Sequence, residues 1–236
     1  MIGIPMKHPA FLAAMAALVV LLAAFVPALW RSSDDPPTAA RAEMPAPWSV
    51  DVDAAGTGRV FGLALPGATL GTARGQFGED LQIGLMARRG QPGVLEAYLE
   101  SFTAAFISGR LLLAADAGPE LIAGWQARAR ATPVDADTVR YTLAAQDLAV
   151  ALRMPLVGIT FIPVAQLDAD TLRARFGEPA ERLASGERLV QWMYPAKGLA
   201  VVLDSEGREV LQYVAPADFE RRLRAPLIQA GATPVP

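Results

Sequence analysis

A pattern that occurs twice constrains this chain most. Phe61, Gly62, Leu63, Ala64, Leu65 and Pro66 are matched by Val157, Gly158, Ile159, Thr160 and Phe161, with Ile162 and Pro163 after them. Each copy runs on into a short helical pattern ending in Phe-Gly-Glu, at Phe77 to Glu79 and again at Phe176 to Glu178, and the copies stand about 99 residues apart. Thr72 corresponds to Thr171, and Arg74 to Arg173. Self-similarity at a fixed offset implies two structural halves built alike. Alternating Phe61, Leu63 and Leu65 describe a strand with one buried face that a proline then ends. Leu70, Ala73 and Phe77 fall at helical spacing, as do Leu172 and Phe176, with Asp168 placed to cap the second helix. Gly78 and Gly177 stand where a left-handed residue commonly closes a helix.

The remaining apolar patterns fill out the two halves. After Gly177 the chain reads as an antiparallel meander with strands over 180–184, 189–194, 199–204 and 209–214. Its turns carry Gly198 and Gly207, the residue type that tight hairpins require. Val190, Trp192 and Tyr194 share one strand face, as do Leu199, Val201 and Leu203. In the first half, 81–88, 94–106, 111–115 and 138–143 read as strands, and 119–129 and 146–152 as helices. A last helix is expected over 216–223.

The stretch from Leu167 to Val214 resembles a known family. Asp168 to Pro179, then Trp192 to Tyr194, then Gly198 to Asp204 with Gly207, is similar to the small outer-membrane lipoproteins of the β-barrel assembly machine (SmpA/OmlA-like), over about 48 residues. In that family a short helix ends in a Gly-x-Pro-like motif and leads into an aromatic strand and a hairpin. The first half shares the likeness only through Phe61 to Glu79. The resemblance implies short helices packed on one face of an antiparallel sheet, and protein binding in the cell envelope in place of catalysis. The chain departs from the family in having no lipoprotein cysteine and in being duplicated.

Ahead of the repeats, Ala10 to Trp30 is a nearly unbroken apolar run. Its 21 residues would span about 31 Å as a helix, the thickness of a hydrocarbon core. The organisation expected is a cytoplasmic N-terminus over 1–8, a transmembrane helix over 9–30, a Pro-rich linker over 31–47, α+β repeats over 48–153 and 154–227, and a flexible tail over 228–236. Lys7 and His8 on one side against Arg31 on the other favour a single-pass bacterial inner-membrane protein with its C-terminal part in the periplasm. Small residues at Val26 to Ala28 leave open cleavage after Ala28 and a secreted periplasmic form. Residues 31–236 hold 20 of the 21 basic residues and all 24 acidic ones, about −4 in net charge, which argues against a general nucleic-acid binder.

Chemistry is sparse. The single histidine is His8 and there is no cysteine, so imidazole bases, thiol nucleophiles and histidine or thiolate metal sites are excluded from the domain. No catalytic, cofactor-binding or metal-binding residue is expected. Paired carboxylates remain, because a cell-wall glycosidase needs only two at a suitable separation. Glu96 and Glu100, among Tyr98 and Phe102, are the candidates for that reading. Trp192 and Tyr194 on their strand, and Arg221, Arg222 and Arg224 at the end of the last helix, are candidate partner-binding residues. The reading these observations favour is an inner-membrane-anchored, non-enzymatic module that binds an envelope protein. A carboxylate-dependent hydrolase and a small-molecule or lipid carrier are the alternatives.

Overall fold

A computed structural model describes residues 44–205 and 209–236. Each copy of the repeat forms a strand, an eight-residue helix and a glycine stop: β3 (Leu63–Leu65) and α1 (Leu70–Phe77) in the first, β9 (Leu156–Pro163) and α4 (Ala169–Phe176) in the second. Thr69 opens α1 by accepting the Thr72 N–H at 3.1 Å, while Thr72 accepts the Thr69 N–H in return at 3.3 Å. This reciprocal pair satisfies donors that a helix start otherwise leaves orphaned. Asp168 opens α4 by accepting the Thr171 N–H at 2.7 Å, a bond that holds its carboxyl below the usual range. Gly78 and Gly177 close the helices at φ 80° and 85°, ψ −166° and −173°. That mirror-extended region is accessible only without a Cβ.

From α1 the chain enters β4 (Gln82–Arg88), β5 (Val94–Ala104) and β6 (Ile107–Ala115), then α2 (Pro119–Arg128), β7 (Arg130–Pro133), β8 (Thr138–Thr142) and α3 (Ala145–Ala151). From α4 it enters β10 (Glu181–Ser185), β11 (Leu189–Tyr194), β12 (Leu199–Asp204) and β13 (Val210–Tyr213). A helical segment over 216–229 ends in α5 (Ala225–Gln229), and β14 (Thr233–Val235) follows. β1 (Asp51–Val52), β2 (Gly58–Val60) and β3 make a small sheet of their own.

The large sheet corrects the expected architecture. In place of two α+β repeats, each with helices on its own sheet, the halves join into one 11-stranded antiparallel sheet in the order β14-β10-β11-β12-β13-β9-β6-β5-β4-β8-β7. β9 is the seam: Ile159 and Phe161 pair with Tyr213 and Leu211 on one side and with Leu113 and Leu111 on the other. Both halves turn an apolar face to the same side, so joining them buries one continuous core in place of two marginal ones. That core holds Leu70 and Phe77 of α1, Leu172 and Phe176 of α4, Trp125 of α2 and the inward residues of β4–β6, β9 and β11–β13. At its centre Phe102 meets Phe61, Phe77 and Phe161 edge-on, with ring centroids 5.2, 5.6 and 5.9 Å away.

Further differences are local. The strand expected over 94–106 stops at Ala104, and the next begins at Ile107, because Ala105 adopts φ 52° and turns the chain without a glycine. Residues 233–235, read as tail, pair with Arg182 to Ala184 and form one sheet edge. The expected transmembrane helix over 9–30, like the cleavage point after Ala28, lies outside the described residues. No helix among the described residues is long and apolar enough to cross a membrane. The expectation of a single-pass inner-membrane protein is not met among the described residues.

Candidate functional site

The two faces of the large sheet fare differently. On the side away from the main core, the second half is covered: Leu183, Met193 and Ala200 of the strands pack against Phe219, Leu223 and Leu227 of the C-terminal helical segment. Three arginines brace that segment, and two of them, Arg222 and Arg224, reach residues outside it. Arg224 holds Glu181 with two contacts of 2.6 and 2.9 Å, Arg221 reaches Asp218 at 2.6 Å, and buried Arg222 lies against Asp218 and, at 3.9 Å, Asp116. Arg221, Arg222 and Arg224 are thus ion-paired within the fold. Trp192 and Tyr194, each 5% exposed, face the main core beneath α4. Arg173 and Arg182 flank the Trp192 ring at 5.4 and 5.5 Å, and the Tyr194 hydroxyl donates to the Gly177 carbonyl at 3.0 Å. Burial pushes the Tyr194 hydroxyl up to about 12.

On the same side, around the seam between the halves, a separate apolar cluster consists of strand residues alone among the described residues: Tyr98 and Leu112 of the first half with Ile162, Val202 and Val210 of the second. A pocket of about 330 Å³ opens beside it, lined by residues of β4, β5 and β8 from both faces of the sheet and by Arg74, Glu79 and Leu148. The strand register explains its shape. Glu96 stands opposite Gly84 on β4 and opposite Ala114 on β6, and these in turn face Thr142 and Gly158. The row through Glu96 therefore carries almost no neighbouring side chain on either flank. The rows on each side carry long ones, Gln82, Tyr98 and Leu112 on one and Met86 and Arg140 on the other. The outcome is a hollow with a carboxyl in its floor.

Glu96 is 8% exposed, lines this pocket, and has no hydrogen-bond or ion-pair partner among the described residues. Burial pushes its carboxyl up to about 7, against the opposing influence of the Arg140 charge. Arg140 reaches along the sheet from β8 to donate to the Gln82 side-chain oxygen at 2.8 Å, and its guanidinium sits 6.0 Å from the Tyr98 ring centroid. The Tyr98 hydroxyl donates to Glu100, which also accepts from Arg110 at 3.2 Å. Burial first, and then the Glu100 hydrogen bond and charge, push the Tyr98 hydroxyl up.

The structure does not bring Glu96 and Glu100 into one site. Four positions along an extended strand separate their backbones by about 13 Å. Tyr98 lies between them, and Glu100 is outside the pocket. Paired glycosidase carboxylates stand about 5 to 9.5 Å apart. No group of three or more His, Cys, Asp or Glu able to hold a metal ion occurs among the described residues. Sequence reasoning missed Arg140, Gln82 and Met86, which only register places beside Glu96. The one available signal was Gly84 inside a strand pattern, a residue that marks a bulge or a close backbone approach. No family model matches the chain, and neither the curated proteins nor the solved structures contain a match.

Proposed function

We propose that this chain is a non-catalytic binding module that takes a small ligand in the pocket around Glu96 on the open face of its first half. One observation carries the reading: a carboxyl more than nine-tenths buried lines a cavity of about 330 Å³ and meets no donor among the described residues. A carboxyl set in a hollow and held by no protein donor among the described residues is open to a ligand that brings one. A concave, largely apolar cavity with a few convergent polar groups is the usual form of a small-molecule site, and this one is at the lower end of the size range. The separation of Glu96 from Glu100 weighs against the hydrolase reading.

A protein partner is the second reading. Phe106, 75% exposed, meets the Trp48 ring at the β5–β6 turn in a tilted contact with centroids 5.9 Å apart. Val164, 58% exposed, adjoins that hairpin through its N–H bond to the Ser108 carbonyl. Exposed apolar side chains gathered at one place favour an interaction surface. The family resemblance of residues 167–214 favours the same reading.

Hydrogen–deuterium exchange of the full chain, mixed separately with low-mass and macromolecular fractions of a cell extract, tests the proposal. The expected result is slowed exchange over 82–88, 94–100 and 138–142 with the low-mass fraction. Slowed exchange only around 105–108 and 164, and only with macromolecules, would replace it with the second reading. No protection from either fraction would overturn both.

A further inference from the structure

We infer that the occupant of this pocket is a free α-amino acid with an apolar side chain, its ammonium group on Glu96 and its carboxylate on Arg140. The inference rests on the reading of the pocket as a small-ligand site.

Three features of the pocket carry it. Glu96 is 8% exposed and meets no hydrogen-bond donor among the described residues, and its carboxyl lines the pocket, so its oxygens are open to donors that a ligand brings. An ammonium group supplies up to three. Arg140 stands on the rim of the same hollow, where its guanidinium commits one hydrogen bond to Gln82 and lies over the Tyr98 ring. A guanidinium carries five N–H donors in a planar fork that matches a carboxylate, so most of its donor capacity remains for a ligand. The apolar side chains that flank Glu96 on the same sheet face are Met86 and Leu112.

Charge balance selects the ligand class. A simple carboxylic acid would meet Arg140 but bring a second negative charge to Glu96. A simple amine would meet Glu96 but bring a second positive charge to Arg140. A zwitterion answers both, and its side chain would take the apolar wall. The remaining charged pair of the pocket, Arg74 and Glu79, is already joined to itself and asks for nothing from a ligand.

Titration of the full chain with L-leucine at pH 8, where Glu96 is ionised, tests this against three isosteres. These are 4-methylpentanoate, which lacks the ammonium, isoamylamine, which lacks the carboxylate, and the neutral 4-methylpentanamide. Calorimetry gives affinity, and amide chemical shifts of Gly84 and Gly158 report on occupancy of the hollow. L-Leucine is expected to bind at least about tenfold more tightly than any of the three, since each isostere loses a charge-assisted hydrogen bond. Glu96→Gln and Arg140→Gln are each expected to weaken leucine binding at least about tenfold while leaving the thermal melt cooperative. Equal binding of the neutral amide, or unchanged leucine affinity in Glu96→Gln, would overturn the inference. If no apolar amino acid shifts Gly84 but the low-mass extract still protects β4 and β5, the amino-acid assignment fails and the pocket reading stands. If neither has an effect, both fail.

Discussion

Gly84 faces Glu96 directly across the antiparallel pair of β4 and β5, and the absence of a side chain at Gly84 leaves the Glu96 carboxyl at the floor of a hollow. The glycine serves a second purpose. A Cβ built there would lie 2.8 Å from the Tyr141 carbonyl oxygen of β8, so the strand backbones approach too closely for any other residue.

Gly84→Ala is therefore expected to destabilise the fold even though alanine stiffens the unfolded chain. The stiffening is worth about 0.4 to 1 kcal/mol. Forcing β4 and β8 apart costs about 1 to 3 kcal/mol and outweighs it. Urea unfolding of the two proteins measures the difference, and an alanine variant more stable than the parent would contradict the assignment.

Glu96 makes stability depend on pH in an uncommon direction. Burial pushes its carboxyl from the ordinary 4.5 up to about 7 in the fold, so the folded state holds a proton that the unfolded state has released between those limits. The contribution is fully present below about 4.5 and is lost as pH rises through about 7. Arg140 on β8, with Arg74 and Glu79 at the pocket's far end, supplies the fixed charges around it, and Tyr98 stays neutral throughout this range. Glu96→Gln should flatten the profile and exceed the parent at pH 8 by up to about 3 kcal/mol, from about 1.4 kcal/mol per pKa unit. Superimposable pH profiles for the two proteins would refute this account of Glu96.

Arg224→Ala is expected to loosen the C-terminal helical segment from β10. The two-contact pair with Glu181 is partly exposed, so solvent screening limits its loss to about 1 kcal/mol. The Arg224 hydrogen bond holds the Glu181 carboxyl below its ordinary value, so this contribution is present at neutral pH and is lost as pH falls through the lowered folded value. Faster hydrogen exchange over 219–232, with exchange in β5 and β6 unchanged, is the expected signature.

Tyr213→Phe removes a buried hydrogen bond in which the hydroxyl donates to the Pro47 carbonyl at 2.8 Å. That bond ties residues 44–50 to the aromatic centre of the core, where the Tyr213 ring meets Phe61 edge-on at 5.7 Å. The cost is expected to be about 1 to 2 kcal/mol, because the Pro47 oxygen is left without its donor. Thermal unfolding measures it, and an unchanged midpoint would show that the carbonyl finds water in place of the hydroxyl.

Local structure was legible wherever the chemistry is local. Asp168 reads as a cap and is one, the meander strands follow their alternation closely, and Gly198 turns its hairpin at φ 62°. Where a turn lacks its usual residue, as at Ala105, or an edge strand is short and exposed, as over 130–133, the chain gives no such signal. Trp192 and Tyr194 mark the limit more sharply. A period of two shows that they share a face but not that α4 covers it, and both belong to the core.

The sequence by itself determined the repeat, most of its helices and strands, and their caps and glycine stops, because each depends on contacts within a few residues. Only the tertiary structure decided that β9 would join both halves into one sheet, that the C-terminal segment would cover just one of them, and that Gly84 and Ala114 would flank Glu96 in a single row. Strand register and the order of strands are set by which apolar faces can be buried together across long chain separations. No spacing along the chain records that choice.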